Sequence, residues 1–146
     1  GTTLVRKVGG ASGPLYGSAL RQMGKALGDA ETIGLAELAD ALETALQAVR
    51  RLGGAEVGDK TMVDALSPAC AALRLAVAEG IKPQEALSRA ADAADQGAKD
   101  TISMQARKGR ASYLGPRSIG HQDPGATSTA LILAALRDVA VAWAES

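Results

Sequence analysis

Three polar, glycine-rich segments hold the residues of this 146-residue chain whose types and spacing could do chemistry. The first, Val8-Gly9-Gly10-Ala11-Ser12-Gly13, runs into Pro14 and an expected helix. Glycines let a backbone turn its N–H groups towards an anion, a serine hydroxyl adds a donor, and a helix N-terminus contributes positive potential. Such a pocket suits a phosphate, although the same residues would also serve an ordinary helix-to-helix turn. The second, Gly53-Gly54-Ala55-Glu56-Val57-Gly58-Asp59-Lys60-Thr61, imitates a phosphate-binding P-loop, with four residues between Gly53 and Gly58 and Lys60-Thr61 following. Asp59 puts it one residue out of register, and it lies between two helical blocks where a P-loop follows a strand. The P-loop reading is therefore rejected. What remains is a helix start near Thr61 beside a glycine loop, which could line a nucleotide pocket.

The third segment, Lys108 to Thr129, concentrates Arg110, Arg117, Tyr113 and the only histidine, His121. A long irregular stretch inside a compact domain is usually functional or disordered, and Tyr113-Leu114 and Ile119 are expected to anchor this one. Arg110 or Arg117 could hold a phosphate in bidentate fashion, or lie in solvent. His121 has no Ser, Cys or acid partner that spacing assigns, so a structural hydrogen-bonding role is expected over a general base. Cys70, between Ala69 and Ala71, reads as a small core residue, and Met23, Met62 and Met104 read as packing.

Helices must position these segments. From Gly34 to Leu52, apolar residues recur at Leu35, Leu38, Ala39, Leu42, Ala45, Leu46 and Val49, the spacing of one buried helix face, and Gly53-Gly54 ends it. Further helices are predicted from Thr61 or Met62 to Glu79, stopped by Gly80, and from Pro83 towards Ile102. The last starts at Asp123-Pro124, an N-cap followed by Pro at N1, and runs to about Trp143. A shorter helix is expected over Pro14 to Leu27. No stretch alternates apolar and polar residues with β-branched enrichment, so the prediction is an all-α antiparallel bundle forming a single domain over residues 1–146.

Composition agrees with close helix packing: there is no Phe, with two Tyr and one Trp against 31 Ala and 17 Gly. Sixteen Lys+Arg balance sixteen Asp+Glu, which removes the electrostatic argument for a nucleic-acid or anionic-membrane partner. No apolar run reaches the roughly 18–20 residues of a membrane span, and the start lacks the apolar stretch of a signal peptide, so a cytoplasmic location is expected. One cysteine excludes an internal disulfide framework. Gly1 where a Met would stand suggests a processed chain or part of a longer one.

At the three segments the sequence resembles the L subunit of dihydroxyacetone kinase, its ADP-binding component. The matching strings run from Gly9 through Ala11-Ser12 to Gly17, from Gly58-Asp59-Lys60-Thr61-Met62 to Leu66, and from Gly109-Arg110 to Gly115, continuing over Gly120 to Ser128. They follow the family's order and cover essentially the whole chain. The resemblance implies a barrel of eight antiparallel helices with a nucleotide at one rim. It implies that Mg-ADP or Mg-ATP passes a phosphoryl group to dihydroxyacetone held on a partner K subunit or domain, with ADP recharged in some versions by a phosphoryl-carrier protein of the phosphotransferase system. Carried over by motif, Ala11 and Ser12 would meet phosphate, Gly53, Thr61 and Met62 would line the nucleotide site, Arg110 would face the phosphates, and Asp123, Pro124 and Gly125 would close over the adenine side. The family's magnesium-holding aspartate cluster precedes the first loop. Only eight residues precede Gly9 and none is acidic, so the domain is expected to be N-terminally incomplete, with its Mg²⁺ ligands upstream of Gly1 and no metal ligand or catalytic residue in this chain. The alternative is a non-catalytic helical interaction module or remnant unable to bind magnesium. A fatty-acid kinase domain fits less well, since that family favours Asn-Ser-Gly at Ala11-Ser12-Gly13 and lacks the intact Arg110–Gly115 string.

Overall fold

The computed structural model describes residues 2–7, 10–29 and 32–145, with the side chains at 141 and 143–145 left aside. Every regular element among them is helical. The chain gathers into two compact units, Gly1–Ala55 and Glu56–Ser146.

The first unit contains α1 (Thr2–Lys7), α2 (Ser12–Leu27) and α3 (Leu35–Gly53), with α2 packed against both others. α1 buries nothing and carries no face that the periodicity could have revealed. α2 starts at Ser12, ahead of the expected Pro14, because proline is tolerated in a first turn whose N–H groups have no helical partner. Its buried residues are Gly13, Gly17 and Ala19, all small. α3 buries Ala39, Leu42, Ala45, Leu46 and Val49 of the predicted face, and Ala41 and Ala48 beside it. It ends where predicted, with Gly54 N donating to Arg50 O at 2.8 Å. Gly9 and Val8 of the first glycine segment lie outside the described residues.

The second unit contains α4 (Val63–Ala78), α5 (Pro83–Asp100) and α6 (Pro124–Glu145), with α5 packed against both neighbours. Pro83 opens α5 as predicted. The inward face of α5 is Ala86, Leu87, Ala90, Ala91, Ala94, Gly97 and Ala98, so the core is built from alanine methyls, with Val63, Leu66, Leu73 and Leu133 as its larger pieces. Cys70 is buried among them, as a small core residue should be.

One close approach between α4 and α5 has a specific cause. Pro68 inside α4 has no N–H to give to the carbonyl of Asp64 four residues earlier. That carbonyl oxygen occupies the place where a Cβ on Gly97 would be built, and Pro68 Cγ would lie 3.0 Å from that Cβ.

Between α5 and α6 the chain makes an arm. A 3-10 turn (Thr101–Ser103) leads out, and a 3-10 segment (Arg110–Ser118) leads back, broken at Gly115 with φ 54° and ψ −132° ahead of Pro116. A left-handed φ of that kind suits glycine and lets the segment change direction before proline. The expected apolar anchors do not anchor it. Tyr113 is 91% exposed, Leu114 47% and Ile119 46%, so the arm is held by polar groups at its base.

Candidate functional site

The turn between residues 56 and 64 is closed by its own acids. Asp64, buried, accepts from Gly58 N at 2.5 Å through Oδ1 and from Thr61 N at 2.8 Å through Oδ2. Asp59 Oδ2 accepts from Glu56 N at 2.9 Å, and Asp59 O accepts from Arg107 N at 3.1 Å at the base of the arm. Thr61 Oγ1 accepts from Val63 N at 3.2 Å, which leaves α4 starting just after Met62. Lys60, between these residues, turns inward and is only 3% exposed. Its ammonium donates to the carbonyl oxygens of Thr101 at 2.8 Å, Met104 at 3.1 Å, Ser118 at 2.7 Å and His121 at 2.5 Å. Lys60 therefore does not act as a P-loop lysine, consistent with the register argument.

The start of α6 lies beside this turn. Asp123 is its N-cap: Oδ2 accepts from Ala126 N at 2.7 Å, and its own N–H donates to Thr101 Oγ1 at 2.9 Å. A Cβ built on Gly125 would lie 3.1 Å from Asp123 Oδ2, 3.5 Å from Met62 N and 3.6 Å from Met62 Cβ, so the start of α6 packs closely on Met62 where Gly125 has no side chain. Four predicted site residues, Met62, Asp123, Pro124 and Gly125, are thus brought to one place, with Thr61 adjoining Met62. Burial pushes the Asp123 carboxyl above the usual carboxylate range; the N–H groups of Ala126 and Gly125 oppose this, the Asp64 charge adds to it, and the Lys60 charge lowers it. The folded chain thus holds that proton more tightly than the unfolded chain. The contribution is fully present below the ordinary carboxylate value and is lost as pH rises through the raised folded value. Asp123→Asn keeps an oxygen for the cap and is expected to flatten that part of the acid stability profile, whereas Asp123→Ala is expected to cost about 1 kcal/mol through the lost cap. Urea unfolding across the acidic range checks both.

Arg110 opens the returning half of the arm and is exposed, as are Lys108 and Arg117. Ser112 fastens that start, its Oγ donating to Gly109 O at 2.6 Å. Ser118, buried, accepts from Ala106 N at 2.9 Å and donates to Gly115 O at 2.6 Å, and Gly120 N donates to Ile102 O at 2.7 Å. These bonds close the base of the arm and leave the tip that carries Arg110 outside. His121 is exposed and enters the framework through its backbone carbonyl. In the first unit, Ala11 and Ser12 stand at the start of α2 and Gly53 at the end of α3. A Cβ on Gly53 would touch Leu15 Cδ2 at 3.4 Å, one turn after Ser12, so these three predicted residues share one end of that unit.

The DAK2 domain model matches residues 1–138. The chain belongs to the DAK2 domain family.

Two relatives of this DAK2 domain are ADP-binding subunits of dihydroxyacetone kinases. The ADP-binding subunit DhaL of a PEP-dependent dihydroxyacetone kinase from Escherichia coli is 45% identical over 91% of the chain and 63% of its own length. The ADP-binding subunit DhaL of a PTS-dependent dihydroxyacetone kinase from Lactococcus lactis subsp. lactis is 43% identical over 94% of the chain and 63% of its own length. The chain therefore spans less than two thirds of the relatives it matches. Among solved structures, the dihydroxyacetone kinase of C. freundii in its native form is similar with a TM-score of 0.64 and 29% identity, over 93% of the chain and 22% of that one.

Three residues of this DAK2 domain escaped the sequence reading as site-building groups: Lys60, Asp64 and Ser118. Their signal was a lysine and an acid flanking Thr61-Met62 with no surface helix face to serve. Among the described residues no group of three or more His, Cys, Asp or Glu could hold a metal ion. Asp64 and Asp123 are both engaged by backbone N–H groups, so the described residues do not by themselves fit magnesium. A cavity of about 280 Å³ between α5 and α6, lined in part by Asp92, Asp95, Gln122 and Arg137, includes none of the predicted site residues. No helix among the described residues is long and apolar enough to cross a membrane.

Proposed function

We propose that this DAK2 domain is the nucleotide-carrying part of a cytoplasmic dihydroxyacetone kinase. It holds ADP or ATP, from which a phosphoryl group passes to dihydroxyacetone on a partner K subunit or domain. The observation that carries the reading is the meeting of Thr61-Met62 with Asp123-Pro124-Gly125 at the start of a long helix, where the absent side chain of Gly125 lets the two segments approach. Through the resemblance, Ala11, Ser12 and Gly53 are assigned nucleotide contacts, and Arg110 is assigned a contact with phosphate. Magnesium, when bound, would neutralise phosphate charge. The relatives named PEP-dependent and PTS-dependent support a phosphoryl-carrier protein as the second partner.

Isothermal titration of the 146-residue chain with ADP and with ATP, with and without magnesium, tests this. Saturable binding is expected, with little dependence on magnesium in this chain. A folded chain that takes up no nucleotide at millimolar concentration sinks the reading in favour of a non-catalytic interaction module, which the engaged carboxylates of Asp64 and Asp123 would then favour.

A further inference from the structure

Lys60 is the only non-glycine residue among those described with a left-handed backbone, at φ 62°. A lysine gains nothing from that conformation, which costs about 1 kcal/mol or more for a side chain with a Cβ. What the conformation achieves is direction, since it sends the side chain inward to a 3% exposed position. There the ammonium meets four backbone carbonyls from four separate points of the arm: Thr101, Met104, Ser118 and His121. Its three N–H donors are shared among four carbonyl oxygens, the kind of oxygen cage that also surrounds a bound monovalent metal ion, with the positive charge here attached to the chain. The Asp64 carboxylate fixes the residues on either side of Lys60, Gly58 and Thr61, through their N–H groups.

We infer that Lys60 is a positioning residue, a tethered cation that pins both feet of the 101–121 arm to the Thr61-Met62 turn. Through that pin it sets where Arg110 and Asp123 stand relative to the nucleotide; this second half rests on the proposed function. The ammonium touches no substrate, because all its hydrogen-bonding capacity is spent on carbonyls.

The test uses Lys60→Gly, which relieves the left-handed strain and leaves a channel the shape of the lost side chain, together with n-butylammonium to refill it. Amide hydrogen exchange and ADP titration are read on the full 146-residue chain. In Lys60→Gly, exchange over residues 101–121 is expected to speed up by about tenfold or more, with ADP affinity falling comparably, the scale of losing charge-assisted hydrogen bonds. n-Butylammonium should restore both, and choline at equal ionic strength should restore neither. Lys60→Met, which keeps the stem without the charge, should behave like the unrescued variant and not respond to n-butylammonium. Unchanged exchange in the arm of Lys60→Gly, or recovery that choline produces equally well, overturns the inference. A variant that unfolds yet refolds in n-butylammonium alone supports it, and one that stays unfolded in every salt overturns it. If wild type binds no ADP, the nucleotide reading falls, while the exchange readout still decides whether Lys60 pins the arm.

Discussion

Replacing Gly97 by alanine is expected to destabilise the second unit by roughly 2–3 kcal/mol, a drop in Tm on the order of 5–15 °C, although alanine is the better helix former. The gain from propensity is at most about 1 kcal/mol. Against it stands a methyl group placed onto the Asp64 carbonyl oxygen and 3.0 Å from Pro68 Cγ. The proline ring cannot swing aside, and the carbonyl belongs to the backbone of α4, so α4 and α5 must separate. Separation opens a gap along helix faces that bury Ala65, Ala69, Ala90 and Ala94, residues too small to refill it. The move also shifts Asp64, whose carboxylate holds Gly58 and Thr61, so weaker ADP binding should accompany the lower Tm. Gly24→Ala is the control: it lies inside α2 with nothing within 4 Å of the added methyl, and should be neutral or slightly stabilising. Thermal unfolding of both variants decides it. A Gly97→Ala protein as stable as wild type would mean the helices are not in this contact.

The helices were legible because their evidence is local. The spacing of Leu42, Leu46 and Val49, the stop at Gly53-Gly54 and the Asp123-Pro124 start each depend on a few neighbouring residues, and each predicted boundary falls within two residues of the observed one, apart from the 3-10 turn at Thr101–Ser103. The site was legible in its members more than in its framework. Thr61, Met62 and Asp123 to Gly125 came from motif strings, but what joins them is long-range. Lys60 reaches carbonyls 41 to 61 residues away, and nothing in the local pattern of a Gly-Asp-Lys-Thr turn distinguishes a buried ammonium from a phosphate ligand or a solvated one. The same limit explains the error over the arm. Tyr113, Leu114 and Ile119 were the apolar residues in a polar stretch and so looked like its anchors, yet buried Ser118 and the Lys60 ammonium hold it. α1 was missed because a six-residue helix with no buried residue has no periodic face to read.

Arg110→Ala is expected to weaken ADP binding by roughly 10- to 100-fold, the scale of a bidentate, charge-assisted pair lost to a phosphate. The sequence left Arg110 and Arg117 equally placed to grip a phosphate; the resemblance chose Arg110, and the arm shows what makes that choice testable. Arg110 follows Gly109 at the outer start of the returning segment, whereas Arg117 adjoins Ser118, which is tied into the base through Ala106 and Lys60. An arginine at the tip can reach a ligand beyond the arm, and one beside the base has less freedom to do so. Since Arg110 is exposed and fastens no part of the fold, its removal should leave the unfolding midpoint within about 0.5 kcal/mol of wild type. Affinity and stability therefore separate for this variant, while for Gly97→Ala they fall together. Lysine in its place keeps the charge but not the planar fork, so Arg110→Lys should recover only part of the loss. Arg117→Ala should bind ADP like wild type. If titration shows the larger loss in Arg117→Ala, or none in either variant, Arg110 is not the phosphate-facing group.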